Sequence, residues 1–159
     1  YLTTGPAYSL GLTRDHLKGN FLLLTSDIIC SPASVKRLLS HPAASSLAAS
    51  SDLPTRKDVG ILVGRNMKVT KLGKKLKVQK NYYEFKGMAK IGSSFAKKLF
   101  IALDGVNPKT NRHLLVDAIS EANVSSPHLI TAVDLKASQI LEIDTRTDLK
   151  LAQKVLLKN

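Results

Sequence analysis

Two short apolar runs in this chain end on carboxylates. Phe21-Leu22-Leu23-Leu24-Thr25-Ser26 stops at Asp27, and a second run starting at Ile140 stops at Glu142 and Asp144, just ahead of a C-terminal amphipathic helix. Apolar runs of this length, bounded by turn signals, fit buried strands. In an open α/β sheet the residues that end different strands gather at one rim, where ligands bind, so groups far apart in sequence can meet there. Three carboxylates so placed suit a hard divalent cation such as Mg²⁺, which takes one or two carboxylates together with substrate phosphates. The plainer alternative is that Asp27 caps a loop while Glu142 and Asp144 sit on a solvated strand end, and the spacing alone leaves both readings open.

The rest of the chain reads as strands alternating with helices, which argues for an α/β domain. Pro6 suits the first turn of a helix running to about Lys18, and Gly19-Asn20 turns the chain into a strand over 21–25. Ser31-Pro32 reads as a cap and first helical position for a helix to about Leu39, stopped at His41-Pro42. A small-residue strand follows at 47–49, then a polar loop with Asp52, Pro54 and Thr55. Residues 59–79 alternate in short β-like pieces, 59–63, 67–70 and 76–78, with turns expected at Arg65-Asn66 and Gly73-Lys74. A strand over 84–91 contains Gly87, whose missing side chain suggests close approach of backbone or ligand. Helices are expected at 95–103 and 112–122, and strands at 129–133 and 140–143. Thr145-Arg146-Thr147-Asp148 then fits a capping box, followed by the stripe Leu149, Ala152, Val155 and Leu156.

At 159 residues the chain is one domain by length. Its apolar runs are too short to span a membrane and no basic-then-apolar leader opens it, so a soluble, cytoplasmic protein is expected. The lone Cys30 excludes an internal disulfide or a cysteine-rich zinc site, and reads as a small buried hydrophobe beside Asp27. The net charge of +12 is concentrated. Residues 56–98 hold thirteen Lys or Arg against Asp58 and Glu84, a net of 13 − 2 = +11. Such a field favours anionic partners: phosphorylated small molecules, a membrane surface or nucleic acid. Tyr82, Tyr83 and Phe85 fall in that stretch, but their alternating pattern suggests strand faces rather than a base-stacking platform, so nucleic acid is not the expected partner.

Thr4-Gly5-Pro6-Ala7-Tyr8-Ser9-Leu10, the run 21–27, Gly73-Lys74-Lys75-Leu76, and Glu142-Ile143-Asp144-Thr145 with Asp148-Leu149 together resemble the nucleotidyltransferases that activate sugar and alcohol phosphates. Within that superfamily the chain looks most like the cytidylyltransferases for inositol 1-phosphate, phosphocholine and aminoethylphosphonate. The resemblance implies a Rossmann-like three-layer α/β fold with a mixed sheet. It also implies Mg²⁺-dependent transfer of CMP from CTP to a phosphorylated small alcohol or amine, with release of pyrophosphate. By the same resemblance, Asp27, Glu142 and Asp144 would hold the metal, with Asp27 and Asp144 catalytic, and Thr4, Gly5 and Ser9 would contact the nucleoside. Lys74 would meet a phosphate. Glu84, Gly87 and Lys90 fall in a Glu-Phe-x-Gly-x-x-Lys stretch in which Glu84 would face a substrate amine. Lys74 and Lys90 read equally well as solvated lysines.

The pattern departs from the superfamily in places. Members open with a strand and a Gly-rich loop ending in Arg, which this sequence lacks, so residues 1–159 are expected to be the C-terminal part of a single nucleotidyltransferase domain. A missing first strand would leave apolar edge for a preceding segment, a swapped element or a homodimer to cover. Ser26 and Ile28 stand where relatives often carry Gly and His. Two other functions remain compatible with the sequence: a sugar-1-phosphate nucleotidyltransferase using another nucleotide, and a non-catalytic basic module that binds nucleotide or nucleic acid.

Overall fold

One long strand organises the sheet. The computed structural model describes residues 5–52, 59–105, 115–127, 129–135 and 140–156. Its elements in chain order are α1 (Pro6–Gly11), β1 (Phe21–Leu24), β2 (Ile28–Cys30), α2 (Pro32–Ser40), β3 (Ser45–Ser50), β4 (Val59–Val63), β5 (Val69–Lys74), β6 (Tyr82–Ile91), α3 (Ser93–Asp104), α4 (Leu115–Ser125), β7 (Ile130–Asp134), β8 (Ile140–Glu142) and α5 (Arg146–Leu156). The main sheet runs β5-β4-β6-β3-β7. β3 and β7 are parallel and the other pairs antiparallel, giving the mixed sheet expected. Lys90 of β6 lies opposite both Ser46 and Leu22, and Glu84 opposite both Ser50 and Gly60. One edge of β6 therefore pairs with β3, while the other pairs first with β4 and then with β1.

The strand can change partners because it bulges. Between its two matched stretches β3 advances from Leu47 to Ala49 while β6 moves from Ala89 to Phe85, and the extra residues include Gly87 at φ +66°. A bulge of this kind re-aims the chain, and glycine enters left-handed backbone without the penalty a Cβ brings. Space is short as well. A Cβ on Gly87 would overlap the hydroxyl of Thr25 and come within 2.9 Å of Ile28 Cγ2. The close approach expected at Gly87 is thus made by the turn that follows β1, whose Thr25 amide donates to the Gly87 carbonyl at 2.9 Å.

Alternation along the strands separates two cores. Leu47, Ala49, Ala89, Ile91, Ile130 and Ala132 face α1, α3 and α4, whose Ala7, Leu10, Phe95, Leu99 and Ile119 complete the larger cluster. Ala48, Met88 and Val133 face the opposite side, with Leu38 of α2. Helices on both faces of the sheet make the three layers. Each buried Phe or Leu contributes roughly 1.5–3 kcal/mol. α2 begins as its sequence indicates, with the Ser31 hydroxyl accepting from the Ser34 amide at 3.2 Å and Pro32 in the first turn. It ends where Lys90 Nζ donates to the carbonyls of Leu39 (3.2 Å) and His41 (2.6 Å). No described helix is long and apolar enough to cross a membrane.

Several local expectations are corrected. The first helix stops at Gly11 rather than near Lys18. Its next residues are drawn into turns, with the Thr13 hydroxyl bonding back to the Leu10 carbonyl at 2.7 Å, and Arg14 is pulled onto α3, where it donates to the Phe100 carbonyl (2.7 Å), pairs with Asp104 and covers the Phe100 ring. The Arg65-Asn66 turn is present as a short 3₁₀ segment with Asn66 and Met67 in left-handed backbone. Gly73-Lys74 is no turn, because pairing of Gly73 with Gly60 and of Lys74 with Val59 keeps β5 extended to Lys74. The chain leaves the sheet at Lys75 (φ +60°), so 76–78 form no strand. Cys30 is half-buried in β2 beside the smaller core. Pro54, Thr55 and residues 112–114 lie outside the described residues.

Gly87→Ala is expected to cost about 2–4 kcal/mol, combining left-handed strain with overlap against Thr25 and Ile28. Urea unfolding of the two proteins measures it, and an unchanged midpoint would contradict the close packing described.

Candidate functional site

The carboxylates are brought together by a two-stranded ribbon. β2 pairs antiparallel with β8, placing Ile28 opposite Glu142, and the Ile143 amide donates to the Asp27 carbonyl at 2.8 Å. The turn carrying Asp27 is thereby laced to the segment carrying Glu142 and Asp144. One carboxylate oxygen from each of the three lies within 4.8 Å of the other two, and all three residues are exposed. Like charges held this close repel unless a cation or protons offset them. An all-oxygen, all-anionic donor set on a solvent-facing rim has the chemistry of a hard divalent cation site.

The third acid is held by the start of α5. Asp148 Oδ2 accepts from the Asp144 amide (3.2 Å), the Thr145 amide (2.8 Å) and the Thr145 hydroxyl (2.8 Å), while the Asp148 amide donates back to Thr145 Oγ1 at 3.3 Å. This is the reciprocal cap expected from sequence, with Asp doing the work more often done by Glu. The bonds from the Thr145 hydroxyl and amide, with that from Asp144, hold the Asp148 carboxyl below its ordinary pKa. The side chains of Val155 and Leu156, counted in the helix's apolar stripe, lie outside the described ones.

Beside the acids lies a cleft of about 220 Å³ lined by Thr25, Val59, Lys74, Phe85, Gly87, Val116, Glu142 and Asp144. Lys74, at the end of β5, is the cation on its wall, and Gly87 lets Thr25, another wall residue, pack close against β6. Sequence reading missed Thr25, Val59, Phe85 and Val116 as wall residues. Only Phe85, inside the Glu-Phe-x-Gly stretch, had a local signal. Thr25 Oγ1 is buried and finds no hydrogen-bond partner among the described residues.

The other expected residues lie elsewhere or are otherwise engaged. Glu84 is buried and paired with Lys86 on its own strand. Lys90 caps the C-terminus of α2, where burial first, and then the charges of Lys90 and Lys68, lower the pKa of His41. Neither side chain lines the cleft. Gly5 is the N-cap of α1, its carbonyl accepting from the amide of exposed Ser9 at 3.2 Å. Thr4 lies outside the described residues.

No protein-family model matches this chain, and no curated protein does. Solved structures do match. The chain aligns with the inositol-1-phosphate CTP transferase from T. maritima at a TM-score of 0.73 and 22% identity, over 97% of this chain and 62% of that one. Against the CTP:phosphocholine cytidylyltransferase from Streptococcus pneumoniae the values are 0.72 and 18%, over 98% and 65%. Against a UDP-glucose pyrophosphorylase complexed with UDP-glucose they are 0.75 and 14%, over 98% and 63%. At these identities the likeness establishes the fold alone, which this chain shares with these three enzymes. The chain spans less than two thirds of the length of each of these proteins.

Asp148→Ala should release the amides of Asp144 and Thr145, so that their hydrogen exchange accelerates several-fold while core amides are unaffected. Exchange no faster at those two positions would show that another contact holds the acidic segment.

Proposed function

We propose that this chain belongs to a nucleotidyltransferase that joins a nucleoside monophosphate, CMP from CTP in the first instance, to a phosphorylated small alcohol or amine and releases pyrophosphate. The observation that carries the reading is the convergence of Asp27, Glu142 and Asp144 beside Lys74 on the rim of a nucleotidyltransferase fold. In such a reaction an acceptor phosphate or phosphonate oxygen attacks the α-phosphorus in line and expels pyrophosphate. Every reacting group is anionic, so positioning and charge compensation are the protein's main contributions. The three carboxylates would hold Mg²⁺, which supplies charge neutralisation at the phosphates when bound. Lys74 adds a cation on the cleft wall. Val59, Phe85 and Val116 exclude water on the apolar side.

Gly5 and Ser9 remain candidates for nucleoside contact through the start of α1. Glu84 and Lys90 are assigned structural partners first, and contact a substrate only if those bonds exchange. A sugar 1-phosphate with another nucleotide is the second reading, favoured by the likeness to the UDP-glucose pyrophosphorylase at a TM-score of 0.75.

Pyrophosphate release by the longest natural form of the protein, assayed with each of the four common nucleotides and a set of phosphomonoesters and phosphonates, separates the two readings. CTP with an alcohol or amine phosphate is the expected pair. Asp27→Asn or Asp144→Asn should lower turnover about a hundredfold or more without shifting the unfolding midpoint downward. Undiminished turnover in either variant would remove the metal assignment. Release with no nucleotide from a folded protein would leave a binding role.

A further inference from the structure

The strongest charge on the molecule lies outside the acidic cleft. From Val59 to Asn81 the chain carries six Lys and one Arg, no Asp or Glu, and no aromatic residue. These residues build β4, the 3₁₀ turn, β5 and the segment returning to β6, and β5 is the terminal strand of the main sheet. Arg65, Lys71, Lys74, Lys75, Lys77 and Lys80 are exposed and Lys68 is half-buried. Among the described residues no salt bridge engages any of the seven, the ion pairs being Arg14 with Asp104 and Lys86 with Glu84. Val78, between Lys77 and Lys80, is 51% exposed.

Protection of a sheet edge accounts for a lysine or two. Service to the cleft accounts for Lys74, the one member of the seven on its wall. Four or five of the seven are left without a role by these two explanations. We propose that this edge docks on an anionic membrane surface. Six of the seven cations are lysines, which are compact, strongly hydrated point charges suited to a diffuse layer of negative charge. The planar fork that makes arginine the residue for bidentate phosphate recognition occurs once. Tyr82 and Tyr83, the nearest aromatic residues, are half-buried in β6, where they pair with Leu62 and Ile61 of β4, and so offer no open platform of the kind on which single-stranded nucleic acids stack. Val78 supplies a small apolar contact at the headgroup level, and polybasic segments of this density are drawn to anionic leaflets. This inference rests on the charge distribution and stands whether or not the proposed transfer reaction is correct.

Co-sedimentation with vesicles tests it, using the folded protein without substrates. Binding to phosphatidylcholine–phosphatidylserine vesicles, absent from phosphatidylcholine alone and weakening as salt is raised, is the expected result. The triple variant Lys71→Glu, Lys77→Glu, Lys80→Glu should lose about a hundredfold in partitioning. Lys36→Glu, Lys97→Glu, Lys98→Glu, an equal change in net charge on exposed positions of α2 and α3, should lose far less. Circular dichroism confirms that both variants are folded. The proposal fails if the two variants lose binding equally, which would reduce the effect to net charge, or if neutral vesicles bind as well. Retention by single-stranded RNA or duplex DNA at salt concentrations that release the vesicles would replace the membrane with nucleic acid.

Discussion

The ladder along β6 is the interaction on which the remaining structure depends. It pairs with β3 on one edge and with β4 and then β1 on the other, so it joins the basic hairpin, the strand that leads into the Asp27 turn and the buried centre of the sheet. The change of partner falls at the bulge containing Gly87, which in turn touches Thr25, two residues before Asp27. Backbone geometry at one glycine thus reaches the candidate site through two packed side chains, Thr25 and Ile28, and a strand end.

Around that scaffold the site is assembled from main-chain bonds more than from side-chain packing. The β2–β8 ribbon sets the distance between the acids, and the Asp148 cap sets the path of the chain through Asp144 and Thr145. Exposed carboxylates that repel one another need such backbone restraint to stay together, because nothing in their own interaction favours the arrangement. A bound cation would offset that cost.

Charge is organised at two scales. Locally, Glu142 and Asp144 share a small cleft with Lys74, and Asp27 completes the acidic cluster beside it. At the scale of the domain, residues 56–98 carry a net +11 of the total +12, so the rest of the chain is nearly neutral. The first arrangement suits a metal-bridged phosphate. The second produces a field that favours extended anions and is screened by salt.

Much of this was legible in the sequence. Apolar periodicity and punctuation specify most helices and strands, the Ser31 and Thr145 caps are local chemistry, and the apolar runs that end on acids mark Asp27, Glu142 and Asp144 as a possible group. Those features depend on near neighbours, which a linear reading can see. The tertiary structure alone decided that β5 runs straight through Gly73-Lys74, that Ile28–Cys30 is a strand, that Glu84 turns to Lys86 and Lys90 to the end of α2, and that Thr25, Val59 and Val116 form the cleft wall. Each of these depends on a partner distant in sequence, or on competition between two possible partners. Pairing and burial outweigh local propensity at such positions, and no short window of residues encodes the outcome.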